Sequence, residues 1–111
     1  MLLKGIDMKS TGKLKIISNF IQPETILIIH PNEGYDLDLM NNSYSVKIFT
    51  NTTIEDFNTE NGDFIIGEIK LDNNCPHGSL QVSRKYHKKN GNFQQAQIFF
   101  DQNKILISTC S

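Results

Sequence analysis

Residues 35–49 read "YDLDLMNNSYSVKIF". Apolar and polar side chains alternate on both sides of Asn41-Asn42. A two-residue turn there sets Leu39 opposite Tyr44, Leu37 opposite Val46 and Tyr35 opposite Ile48, all on one face. Asn tolerates the positive φ that a type I′ turn requires. The other face sets Asp36 against Lys47 and Asp38 against Ser45. An opposite-charge cross-strand pair adds only ~0.2–1 kcal/mol. Because a slip of one residue exchanges the faces, the agreement of both faces predicts a β-hairpin.

The same test extends along the chain. With Ser10-Thr11-Gly12 as a loop and Gly12 left-handed, Met8 faces Leu14, Asp7 faces Lys15 and Ile6 faces Ile16. "LKIISNFI" and "TILIIH" are split by Gln22-Pro23-Glu24. The second is apolar on both faces, which predicts a central strand ended by Pro31 and Gly34. "SLQVSRKYH" and "NFQQAQIFF" pair best around Lys89-Asn90-Gly91 with Gly91 left-handed, which gathers Leu80, Val82, Tyr86, Ala96, Ile98 and Phe100. A further turn at Gln102-Asn103 sets Phe100 against Ile105, Ile98 against Ile107 and Asp101 against Lys104. Phe93 and Phe99 fall on the opposite face and need a covering layer.

"TIEDFNTE" (53–60) reads as a short helix with Thr53 as cap and Asp56 three residues on; a distorted strand is the alternative. "DFIIGEIKL" reads as a strand in which Gly67 marks a bulge or a close backbone approach.

Composition agrees with this pattern. The 111 residues include fifteen Ile, seven Phe and seven Thr but one Ala, with twelve Asn and seven Gly. β-branched and aromatic residues suit strands, and Asn and Gly suit turns. About nine short strands joined by brief turns leave no crossover for a parallel sheet. The expected fold is all-β: one domain over residues 1–111, an antiparallel meander closed as a barrel or split as a sandwich, with at most one short helix near 53–60. No internal repeat, low-complexity tract or linker is evident.

No apolar run approaches the roughly 18–20 residues that span a bilayer. Lys4, Gly5 and Asp7 interrupt the place of a secretory signal, so a cytoplasmic protein without membrane partners is expected. Two cysteines make no disulfide framework. Cys75 and His77 in "CPH" form half of a metal site at most, and neither a metal nor a cofactor is expected. His30 ends a strand and reads as a hydrogen-bonded edge histidine. His87, in "SRKYHKKNG" beside Arg84, Lys85, Lys88 and Lys89, has the chemistry of a general base or acid for RNA cleavage, but such cleavage needs a second acid/base group. Its plain reading is a solvated hairpin tip. Glycine-rich phosphate loops, nucleophile elbows and paired-cysteine zinc patterns are all absent.

Charge is the most informative feature. Residues 31–74 hold nine acids and two lysines, net −7. Residues 75–111 hold five bases and Asp101, net +4, and residues 1–30 hold four lysines and two acids, net +2. Glu55, Asp56, Glu60, Asp63, Glu68 and Asp72 concentrate on the irregular middle segment. That segment suggests a non-catalytic binding domain, of inhibitor or immunity type, that covers a basic protein partner such as a toxin nuclease, with Phe57 as apolar anchor. With one Arg in the chain, a nucleic-acid partner is not expected. The alternatives are a nucleic-acid binder or RNase-like enzyme using Arg84–Lys89 with His87, and a barrel holding an apolar ligand.

Overall fold

The computed structural model describes residues 8–110. Seven strands, β1 (Lys9–Asn19), β2 (Ile26–Ile29), β3 (Ser43–Thr50), β4 (Phe64–Leu71), β5 (Ser79–Ser83), β6 (Gln95–Asp101) and β7 (Lys104–Cys110), close into a barrel in the order β1-β5-β2-β4-β3-β7-β6. Three six-residue helices, α1 (Pro31–Asp36), α2 (Ile54–Thr59) and α3 (Arg84–Lys89), follow β2, β3 and β5. The all-β, barrel-like expectation is met. There are seven described strands rather than about nine, and three described helices rather than at most one.

The meander is replaced by a more interleaved path. β1 pairs in parallel with β5, β2 with β4, and β3 with β7. Parallel neighbours need a long connection. Here each connection is itself made of strands and helices that pair elsewhere, so no separate crossover segment is visible in the sequence.

Three expected hairpins are therefore corrected. Tyr35 lies on α1 rather than on a strand and is 72% exposed, whereas Leu37, Leu39, Val46 and Ile48 are buried as expected. Asp38 has φ 60°, its N–H bonds to the Tyr35 carbonyl (3.0 Å), and the Leu39 N–H bonds to the Gly34 carbonyl (2.9 Å). This is a Schellman ending, which turns Leu39 into the core as an apolar C″ residue. The Tyr44 hydroxyl accepts from the N–H groups of Met40 and Asn41 (2.6 and 2.8 Å), so Asn41-Asn42 belong to an anchored loop.

At the N-terminus β1 runs straight through Ser10-Thr11-Gly12, where its register against β6 shifts, and Gly12 is not left-handed. Thr11 is buried in the bulge, and its hydroxyl accepts from the Ile98 N–H (3.1 Å). The expected partners Ile6 and Asp7 lie outside the described residues. Between β5 and β6 the chain forms α3. Gly91 is left-handed as expected, but as the end of that helix. The hairpin β6–β7 stands as expected, with Phe100 opposite Ile105, Ile98 opposite Ile107 and Asp101 opposite Lys104. Phe99 receives its covering layer from α2, which packs Phe57 against Phe49 and Leu106 beside it.

The barrel also contains a repeat that the sequence does not announce. Ile26 pairs with Glu68 as Lys15 pairs with Ser79, and adding 53 to one strand of each pair and subtracting it from the other interconverts the two ladders. The N-caps His30 and Ser83 and the left-handed residues Asp38 and Gly91 keep the same offset. The antiparallel pairing of β2 with β5, Ile28 to Gln81, is its own counterpart. The units β1-β2-α1-β3 and β4-β5-α3-β6 are thus two copies of one motif, related by an approximate two-fold between β2 and β5. Helix α2 and strand β7 lie outside the motif.

Gly67 is the close approach expected of it. A Cβ built there would overlap the Thr25 carbonyl oxygen, which accepts from the Glu68 N–H (2.9 Å) at the start of the β2–β4 ladder. A Cβ on Gly12 meets nothing within 4 Å. Gly67→Ala is expected to cost on the order of 2–3 kcal/mol in urea unfolding, and Gly12→Ala less than about 0.5 kcal/mol. Equal midpoints for the two variants would contradict this account of the ladder.

Candidate functional site

β2 and β5 are antiparallel, so α1 and α3 stand at opposite ends of the barrel. The α3 end also collects the close of β1, residues 20–25, the close of β3, α2 and the start of β4. An open cleft of about 620 Å³ lies there between α2 and α3. Ile48 and Ile65 give it apolar walls, and Asp56 and Asp63 stand on its α2 side. Tyr86 also lines it; this buried residue hydrogen-bonds through its hydroxyl to Thr50. Burial pushes the Tyr86 phenol up to about 12.

Glu24 lines the same cleft from the α3 side. Its carboxylate lies 3.3 Å from Lys89 and 3.8 Å from Lys85. These lysines are four apart on one face of α3, whereas Arg84, His87 and Lys88 share another. His87 donates from Nε2 to the Phe93 carbonyl (2.7 Å) and is not a hairpin tip. The other two histidines, at the α1 end, do not face it.

The acidic residues singled out by sequence divide. Glu55 and Asp56 lie in the first turn of α2, capped by Thr53 as expected, and Asp63 precedes β4. Glu60 is tied to Lys47 (3.2 Å) and reaches Lys104 (3.9 Å). Lys104, buried, donates to the Phe57 carbonyl (2.8 Å) and so clamps α2 to the barrel, rather than answering Asp101. Glu68 bonds to Ser43 halfway along β4, and Asp72 lies at the α1 end, roughly 23 Å from the cleft by the length of β4. Phe57 is fully buried, edge-on to Phe49, and is no surface anchor. Two exposed apolar residues of the outer face of β4 lie beside the acids, Phe64 (42%) and Ile66 (63%). Neither stood out in sequence, because their strand looked continuously apolar.

The α1 end holds the other candidates. Cys75 is buried, and its thiol approaches the carbonyls of Ile28 and Ser79 (3.6 and 3.8 Å). Burial first, then the charges of Glu33 and Asp72, push it up to about 11, the setting of an inert thiol. His77 contacts the buried Glu33 carboxylate (3.2 Å) and packs edge-on to His30 (5.4 Å), while His30 caps α1 through Nδ1. Among the described residues no three His, Cys, Asp or Glu side chains are arranged to hold a metal ion, and no helix is long and apolar enough to cross a membrane. Leu27, Ile29, Leu80, Ile98, Ile105 and Ile107 pack inside the barrel.

Neither a family model nor a curated protein matches this chain.

The raised positions of Cys75 and Tyr86 link stability to alkaline pH. Both groups hold their proton longer in the folded state than in the unfolded one, so their contribution is complete below about pH 9 and is lost as pH rises toward 11 for Cys75 and 12 for Tyr86. Urea midpoints are expected to fall from pH 9 upward, and Cys75→Ala is expected to flatten the part of that fall below pH 11. An unchanged slope in the variant would refute the link.

Proposed function

We propose that this chain is a non-catalytic protein-binding domain that docks a basic protein on the α2 side of the α3 end, as an inhibitor or immunity-type protein would cover a toxin nuclease. The observation that carries the proposal is the coincidence of three features. Asp56 and Asp63 border an open cleft of about 620 Å³, and Phe64 and Ile66 lie exposed beside it. A central apolar patch with an acidic rim is the usual division of labour in a binding face: burial holds the complex, and charge steers encounter. The cleft offers a cationic side chain of the partner an apolar wall for its stem and carboxylates for its head.

Within the acidic set, Glu55, Asp56 and Asp63 make no ion pair among the described residues, whereas Glu60 is engaged in holding α2. The first three form the steering group and Glu60 a structural one. A cytoplasmic location goes with this proposal, because the targets of a nuclease lie there.

The partner is to be captured from the source cells and its association followed by stopped flow across ionic strength. Glu55→Gln, Asp56→Asn and Asp63→Asn together are expected to slow association about tenfold and to flatten its salt dependence. An acidic partner, or an unchanged rate and salt slope in a folded variant, would overturn the proposal.

A further inference from the structure

A second cleft, of about 410 Å³, lies on the other face of α3 and is lined by Ser18, Phe20, Arg84, His87, Lys88 and Asn92. Its volume falls within the roughly 300–1,000 Å³ of small-ligand sites. Phe20 is 81% exposed, and the Arg84 guanidinium lies 5.4 Å from the centre of its ring. Lys85 and Lys89 are tied to Glu24, but Arg84 and Lys88 make no ion pair among the described residues. Cations, hydrogen-bonding side chains and an exposed aromatic ring thus meet in one concavity.

The internal repeat shows that this opening is not demanded by the fold. By the offset of 53, the counterparts of Ser18 and His87 are Leu71 and Gly34. There the space is filled: the Leu71 side chain lies 2.6 Å from where a Gly34 Cβ would stand. The counterparts of Arg84 and Lys88 are Pro31 and Tyr35, and that of Phe20 is Asn73. One copy of the motif packs its groove shut with apolar atoms; the other leaves it open and lines it with positive charge.

We propose that the groove between Phe20 and α3 binds single-stranded nucleic acid, with a base stacked on Phe20 and the adjoining phosphate held by Arg84 and Lys88. Aromatic stacking and phosphate contacts are the means by which strands are bound without sequence readout, which suits a chain with a single Arg. An anionic membrane surface is the other occupant that Phe20 and the neighbouring Ile21 (89% exposed) bring to mind. It is disfavoured here. Stable surface attachment draws on several free cations, whereas Glu24 is paired with two of the nearest lysines, and a bilayer would leave the polar groove unused.

The test is fluorescence anisotropy of a labelled short oligouridylate at low salt, with the full chain. Binding is expected to weaken about tenfold with Phe20→Ala and to persist with Phe20→Tyr. Arg84→Ala with Lys88→Ala is expected to reduce the slope of log affinity against log salt by roughly 1–1.5. Phe20 is exposed, so these effects are read on a folded protein, checked by circular dichroism. Absence of binding, or binding indifferent to Phe20→Ala, overturns the proposal. So does binding to phosphatidylserine-containing vesicles that is lost with Ile21→Ala while the oligonucleotide stays free.

Discussion

The barrel depends on one contact between backbones. The Thr25 carbonyl enters the space where any residue but glycine at 67 would place a side chain, and there it receives the Glu68 N–H. That bond begins the parallel ladder of β2 with β4. Were that ladder lost, β2 would pair only with β5, and the cylinder would be open along one seam. A closed cylinder has no free strand edge and orders its interior side chains into one core. Burial of Leu27, Ile29, Ile69 and Leu80 all follow from that closure.

Two copies of one strand-strand-helix-strand unit make most of this cylinder, and charge and size set them apart. The loop before β2 offers an acid, Glu24, to lysines of α3. The loop before β5 offers a base, His77, to an acid of α1, Glu33. The same backbone arrangement therefore holds its acid on the loop at one end and on the helix at the other. At the α3 end that asymmetry is sharpened by α3 itself, with Lys85 and Lys89 bound to Glu24 on one face and Arg84 and Lys88 turned to the other. A six-residue helix separates an acidic concavity from a basic one.

Much of the fold was legible where pairing was local. The β6–β7 hairpin follows from Gln102-Asn103 and the register Asp101 to Lys104, and the Thr53 cap follows from its side chain and the acids behind it. Burial was legible too, because Leu37, Leu39, Val82 and Ala96 are inside whether their segment is a strand or a helix end. The alternation in "YDLDL" has two solutions, because a helix closing through a left-handed Asp38 satisfies it as well as a strand does. Parallel partners some 40 to 65 residues apart leave no local signature, so neither the true strand order nor the repeat could be read. The acidic site was half legible. Glu55, Asp56 and Asp63 do share one end, but the chain carries Asp72 to the other and takes Phe57 into the core. Phe20 carries no local signal, because a strand running "LKIISNFI" gives no sign that its aromatic residue stands outside.

The interleaved path also dictates when the protein can form during synthesis. β1 is made first but pairs only with β5 and β6, which leave the ribosome late. A nascent chain must therefore hold its first long strand unpaired while most of its length emerges. Closure of the cylinder must wait for β6 and β7, is paced by long loop closures, and leaves β1 as the segment a chaperone would have to shield.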